Sequence, residues 1–380
     1  MKQKKLTFTI LSISLLTVMA GAAVAPSLGA VREHFNECDE LLVQFIVSLP
    51  ALFIIMTNLL FPLLCRAMST KTIAILGLTM YVITGAGAFF ANNITILLIF
   101  RALLGVSVGM IMPLSTGLLA YYFPPERQAS LMGLSAAMNQ MGGVVATFLA
   151  GFLAQISWNC SFLVYLLGLI ALVMVLAFLP DERLTAERQN LKSKAASVKH
   201  FSPLIIGMLL VMMLFFIYPT NFAITSATSM NAGAITLIMC LLDLVAFIVG
   251  LFFGKMMHSM KKSLKYVSPL CFMLGYLVLA LGTDIIYLIT GSIIIGLANG
   301  VGVPYLNTVA SIKGGKSATT TVMPLLSAAL YLGQFISPLL VSPCARLFHG
   351  ITAPYKVGAI LGAIFLIHTL CTKKYYTPSV

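Results

Sequence analysis

Phe100 to Leu114 reads FRALLGVSVGMIMPL, and Gly291 to Tyr305 reads GSIIIGLANGVGVPY. Superposed at a spacing of 191, they place Gly105, Gly109 and Pro113 on Gly296, Gly300 and Pro304. Apolar helices resemble one another by composition, so one match carries little. Two more fall in order at a spacing of 192: Ser135–Ala137 recurs as Ser327–Ala329, and FPLLCRAMSTK from Phe61 pairs with FGKMMHSMKKS from Phe253. Ordered matches at one spacing imply a duplicated unit about half the chain long.

Composition says what the unit is made of. The chain has 380 residues, 60% hydrophobic and 9% charged, whereas soluble domains are roughly 25% charged. Apolar runs recur at 6–30, 41–65, 72–90, 94–120, 129–154, 159–180, 203–226, 232–257, 264–283, 285–309, 318–343 and 352–372. Each is long enough to cross a hydrocarbon layer of about 30 Å as a helix. The expected fold is therefore all-α and integral to the membrane, with twelve transmembrane helices in two pseudo-symmetric six-helix bundles. The bundles are expected at 1–180 and 203–380, joined by a basic connector at 181–202.

The net charge of +13 would suggest nucleic acid in a soluble protein, but here its placement is decisive. With both termini inside, 19 of the 23 basic residues fall in inner segments, Arg32, Arg346 and Lys356 fall outside, and Arg101 lies within a span. This satisfies the positive-inside rule and gives a multi-pass protein, expected in a bacterial inner membrane with cytoplasmic termini and no nucleic-acid partner. Lys2, Lys4 and Lys5 ahead of an apolar run ending in Ala23-Val24-Ala25 imitate a cleaved export signal. Removing that segment would leave eleven spans, and Ala25-Pro26-Ser27 has a mate at Tyr218-Pro219-Thr220, so a retained first helix is expected.

The cysteines show no C-x-x-C or Cys/His ligand spacing, and no metal or cofactor is expected. His34, His200, His258, His349 and His368 are dispersed, and no G-x-x-x-x-G-K-[ST] occurs, so neither an enzyme nor a P-loop pump is indicated.

Several segments resemble the major facilitator superfamily, and within it the twelve-span drug/proton-antiporter-like branch. Arg101-Ala102-Leu103-Leu104-Gly105-Val106-Ser107 is similar to its fourth-span pattern R-x-x-q-G-x-g. The second-to-third loop departs from the family pattern by placing Arg66 at the usual Asp. The fifth-span antiporter motif survives only as Gly142-x-x-x-Ala146-Thr147-x-x-Ala150-Gly151, without its proline. The resemblance implies alternating access by two bundles, with the first, fourth, seventh and tenth spans lining the path.

Ionisable residues deep in a span are costly and mark function by default. Arg101, about 10 Å into the fourth span by helical rise, can clamp an anionic substrate or tie helices together. Asp243 lies near the middle of the eighth span, where a low dielectric disfavours the ionised form and lets a carboxyl exchange a proton; a structural anchor is the alternative. Asn221, Asn299, Asn307, Tyr218 and Gln334 are candidate substrate contacts, each equally able to bond a neighbouring helix. Pro26, Gly105, Gly109, Pro113, Pro219, Gly296, Gly300 and Pro304 are candidate conformational positions, with close packing the alternative for the glycines.

The expected function is secondary active transport of a small organic solute by a monomer coupled to a proton or other ion, namely efflux of a hydrophobic or cationic compound. Organic-anion uptake or exchange through Arg101 is the second reading. A transport-inactive membrane sensor or scaffold is the third.

Overall fold

The computed structural model describes residues 2–123, 125–182, 191–314 and 322–376. Among the described residues, twelve helical stretches are long and apolar enough to cross a membrane: Gln3–His34, Glu40–Phe61, Thr70–Phe90, Ile94–Leu119, Leu134–Ala154, Trp158–Phe178, Phe201–Ser226, Ala232–Met260, Lys262–Leu281, Ile285–Ala310, Leu325–Ala345 and Ala353–Cys371. They are called the first to twelfth spans. The described residues contain no strand, so the all-α membrane fold is observed. Large apolar side chains such as Leu59, Phe152, Leu237 and Ile286 are exposed. Such a surface suits hydrocarbon, as does a backbone whose polar groups are satisfied within helices.

Contacts cluster into two compact units, Met1–Glu187 and Arg188–Val380. Residues 191–200, expected in the connector, instead extend the helix of the seventh span, which runs unbroken from Leu191 to Ser226.

Each unit packs its helices in the same internal pattern. In the N-terminal unit the first span packs on the fifth, the second on the fourth, and the third on both the fourth and sixth. In the C-terminal unit the seventh packs on the eleventh, the eighth on the tenth, and the ninth on both the tenth and twelfth. Helix starts repeat too. The Asp39 side chain accepts from the Leu41 amide at 2.9 Å at the start of the second span, and Asn231, 192 residues on, accepts from the Ala234 amide at 2.8 Å at the start of the eighth.

The repeated glycines explain why the spacing is visible in the sequence. A Cβ on Gly105 would lie 2.4 Å from the Pro50 carbonyl oxygen, and one on Gly296 would lie 2.6 Å from that of Leu242. Gly109 and Gly300 meet Ile54 and Ala246 in the same way, at 3.0 and 2.8 Å. Backbone meets backbone at these crossings, so a side chain has nowhere to go. The tightest is Gly142, where a Cβ would fall 2.0 Å from the Leu15 carbonyl oxygen, while Gly250 has nothing within 4 Å. Gly142→Val is expected to lower the melting temperature and folded yield of the purified protein sharply, through overpacking worth about 3 kcal/mol or more. Gly250→Val should change either little, and equal effects would refute the close-packing account.

The first span is not one helix. It runs as α-helix over Lys2–Ala22, turns through a 3-10 segment at Ala25–Ser27, and resumes over Leu28–His34. Pro26 supplies the cause: it has no amide hydrogen, its ring crowds the carbonyl four residues back, and it biases Ala25 away from helix. The repeat mate Pro219 sits inside a continuous helix. There the Thr220 hydroxyl donates to the Phe216 carbonyl at 2.5 Å and Asn221 Nδ2 to that of Ile217 at 2.9 Å. The carbonyl that Pro219 deprives of a helical donor is that of Phe215; these side-chain bonds fall on the next two carbonyls, and the helix runs on through the proline.

Candidate functional site

Arg101 lies in the helix Ile94–Tyr122 and is 1% exposed. Its Nε donates to the Ile46 carbonyl at 2.5 Å, Nη1 to the Tyr165 hydroxyl at 2.7 Å, and Nη2 to the Ala20 carbonyl at 2.5 Å. Tyr165 in turn donates to the same Ala20 oxygen at 2.8 Å. One guanidinium therefore joins the first, second, fourth and sixth spans.

Carbonyls in the middle of helical spans normally accept the amide four residues on, so two of them bonding a side chain needs a reason. Proline supplies it twice. Pro50 stands four residues after Ile46 and has no N–H to offer. The break at Pro26 ends the first helix at Ala22, leaving Ala20 among the last four carbonyls, which lack helical donors. Gly105, one turn after Arg101, lets the fourth span approach the second closely enough for the side chain to reach. Tyr81 belongs to the same core, its hydroxyl on the Leu16 carbonyl at 3.2 Å and its ring edge-on to Tyr165 at 5.5 Å.

The C-terminal unit solves the equivalent place differently. The repeat mate of Arg101 is Ser292, which shares a 2.6 Å hydrogen bond with the Tyr218 hydroxyl and donates to the Leu288 carbonyl at 2.6 Å. The mate of Pro50 is Leu242, which has the amide that Pro50 lacks. Asp243 follows, half-buried on the eighth span. The structure thus joins Tyr218 of the seventh span to Ser292 of the tenth, and Asp243 lies on the eighth span, which packs on the tenth.

The remaining candidates are spread out. Asn299 is 9% exposed, on the face of the tenth span that carries Ser292, and its buried Oδ1 has no protein donor. Asn221 is buried and bonded along its own helix. Gln334 reaches the Met212 sulfur at 3.7 Å, and Asn307 is half-buried. Pro113 and Pro304 both lie within continuous helices. A hollow of about 510 Å³ between the fifth and sixth spans is lined only by apolar residues, Phe148, Phe152, Leu163 and Ile170 among them, and offers no polar recognition.

Sequence reasoning missed Ser292, Pro50 and the tyrosine posts. The signal was partial: Tyr81 and Tyr165 have counterparts in Tyr276 and Tyr355, but at spacings of 195 and 190 rather than 191–192. Tyr276 donates to the Leu214 carbonyl, and Tyr355 is bonded to Thr225. The seven cysteines are all free, and no group of His, Cys, Asp and Glu suited to a metal occurs among the described residues.

The sequence profile of the Major Facilitator Superfamily matches residues 10–338. The chain belongs to the Major Facilitator Superfamily. Among relatives of this superfamily member, the quinolone resistance protein NorA of Staphylococcus aureus is 24% identical over 245 residues, covering 62% of this chain and 60% of NorA. The chain thus aligns with less than two thirds of that relative's length. The thioclapurine efflux transporter tcpA of Claviceps purpurea is 31% identical over 140 residues, 36% of this chain and 26% of that protein. Solved structures share the fold at low identity. A bacterial homologue of the human lysosomal transporter Spinster aligns at TM-score 0.76 and 14% identity, covering 99% of this chain and 96% of the other. The D-xylose-proton symporter aligns at TM-score 0.76 and 14% identity, over 96% and 97%. Family and neighbours are transporters, not enzymes.

Proposed function

We propose that this superfamily member is a proton-coupled secondary transporter that expels a hydrophobic or cationic compound, with Asp243 as the proton-exchanging group. The observation that carries the reading is Asp243, a half-buried carboxyl midway along the eighth span, in the same unit as the hydrogen-bonded hydroxyls of Tyr218 and Ser292. A carboxyl that deep in a span sits in a low dielectric that disfavours its ionised form, which suits it to take up and release a proton. Asn299, with a buried acceptor that lacks a protein donor, is proposed as a substrate contact. Both termini are proposed to be cytoplasmic, in a bacterial inner membrane.

Arg101 is proposed as a positioning residue. Its three protein acceptors account for each guanidinium nitrogen, and so the structure lends no support to an anion-clamping role. The efflux relatives support the outward direction, and the name of NorA supplies a probe. In proteoliposomes, an imposed pH gradient is expected to drive uptake of a fluorescent quinolone, and a protonophore should abolish it. Gradient-independent accumulation would overturn proton coupling; absence of any flux with quinolones and cationic dyes alike would overturn the efflux reading.

A further inference from the structure

At the end of the N-terminal unit away from the N-terminus, rings from the close of the first span meet the start of the sixth. Trp158, the single tryptophan of the chain, opens the sixth span and is half-buried. The His34 ring lies 4.9 Å from it, centre to centre and tilted by 34°, and the Phe35 ring lies 5.4 Å away at 70°. His34 and Phe35 are edge-on to each other at 4.7 Å. His34 ends the helix Leu28–His34 and is exposed. The strength of an imidazole–indole contact depends on charge. A cation within about 6 Å of an indole centre is drawn to the ring, whereas a neutral ring gains only dispersion. Histidine is the side chain that changes charge between about pH 5 and 8.

The helix that carries His34 is placed to respond to such a change. The break at Pro26 severs Leu28–His34 from the rest of the first span, so its position is set by its neighbours, the starts of the second and sixth spans. At the break the Ser27 and Ser161 hydroxyls share a hydrogen bond of 3.2 Å. Ser161 follows Trp158 by three residues in a 3-10 run, Trp158–Leu167, and side chains at that spacing eclipse in a 3-10 helix. One side of the sixth span therefore offers the first a neutral hydroxyl at the break and an indole one turn away. Beyond His34, Arg32 Nη1 donates to the Phe35, Asn36 and Cys38 carbonyls at 3.2, 3.0 and 3.2 Å, which fixes the turn that carries Phe35. The hydroxyl pair and the turn are indifferent to imidazole charge, and the His34–Trp158 contact is not.

The other titratable groups of this end come from three elements. Arg32, Glu33 and Glu37 share the stretch of His34. On the second span, which packs against it, Asp39 accepts from the Leu41 amide and Glu40 from Gln44. On the 3-10 run of the sixth span they are Cys160 and Tyr165, the latter bonded to Arg101. We propose that His34 and Trp158 form a pH-sensitive clasp. Protonation of the imidazole tightens Leu28–His34 against the sixth span, and deprotonation frees that segment to move about Pro26. The clasp is separate from Asp243 and depends on neither the substrate nor the direction of transport. With the termini cytoplasmic, as proposed above, it reads the pH outside the cell.

The test uses the full-length protein in detergent, with Trp158 as its own reporter. Emission excited where tyrosine does not absorb is expected to fall about twofold from about pH 8 to about pH 5, because an imidazolium against an indole quenches it. His34→Gln should abolish that fall. Over the same range, amide hydrogen exchange across residues 28–35, corrected for the intrinsic effect of pH, is expected to slow several-fold in the wild type. His34→Arg, planar and charged throughout, should exchange slowly at both ends of the range, and His34→Gln fast at both. The Glu33→Gln/Glu37→Gln double variant should keep both pH responses. A response that survives in His34→Gln, or that the double variant loses, overturns His34 as the sensor. Quenching without any change in exchange overturns the clasp, since the contact then holds nothing. Neither readout involves flux, so failure of the transport reading and failure of the clasp are told apart.

Discussion

Arg101→Lys is expected to destabilise the protein more than Arg101→Met does. The order is the reverse of what an anion clamp would give. Met removes the buried charge together with its three bonds, and the lost bonds and the relieved desolvation offset each other, since buried charges replaced by apolar groups of similar volume are often neutral. The stranded Ile46 carbonyl leaves a net cost of about 1–2 kcal/mol. Lys keeps the charge but cannot reach three acceptors on three different spans from one nitrogen, so a partly solvated ammonium remains in the core at a cost on the order of 3 kcal/mol. Thermal unfolding of the purified variants in one detergent checks the order. A Lys variant as stable as wild type would remove the positioning role. The prolines add a sharper check, because Pro50→Leu restores an amide four residues after Ile46. Combined with Arg101→Met, it should recover part of the lost stability, a coupling that a double-mutant cycle measures directly.

In Asp243→Asn, gradient-driven flux should fall at least tenfold while exchange of substrate across vesicles without a gradient persists. Asn is nearly isosteric and keeps the polar contact to neighbouring helices, but it cannot exchange a proton. Loss of coupling with retained exchange therefore separates the proton role from the structural one. A polar anchor would behave differently, with lower yield and unchanged pH dependence of whatever protein survives. Wild-type gradient-driven flux in the Asn variant would remove Asp243 from the mechanism. Tyr218→Phe, which deletes the hydroxyl facing Ser292, should shift the pH dependence without abolishing flux.

Much of the backbone architecture was legible because its determinants are local or repeated. Twelve apolar runs, two glycines at each tight crossing and Pro26 at the first-span break all leave marks in the sequence. The position of Arg101 was legible as well, but not what it binds. Two of its acceptors are backbone carbonyls, which every residue possesses. Only the subtraction of donors by Pro50 and Pro26 distinguishes Ile46 and Ala20 from their neighbours. Pro219 misled in the opposite direction, since the same residue type broke one helix and not its repeat mate. Thr220 and Asn221, which bond carbonyls of their own helix one turn back, look like ordinary polar candidates in a string. The placement of Tyr376 was illegible for a related reason: two lysines before two tyrosines suggest a solvated segment, and nothing local marks Tyr376 as buried with its hydroxyl donating to the Pro203 carbonyl.

The two solutions to one repeated position imply unequal stiffness. A charged knot bonded to three helices resists shear strongly, because hydrogen bonds to an ionised group are roughly twice as strong as neutral ones. A neutral hydroxyl pair such as Tyr218 and Ser292 can trade partners at little cost. After the two halves of the repeat diverged, one copy kept a rigid spine and the other a yielding one. The backbone amides of the tenth span should accordingly exchange with solvent deuterium faster than those of the fourth, although both helices descend from the same fifteen-residue pattern.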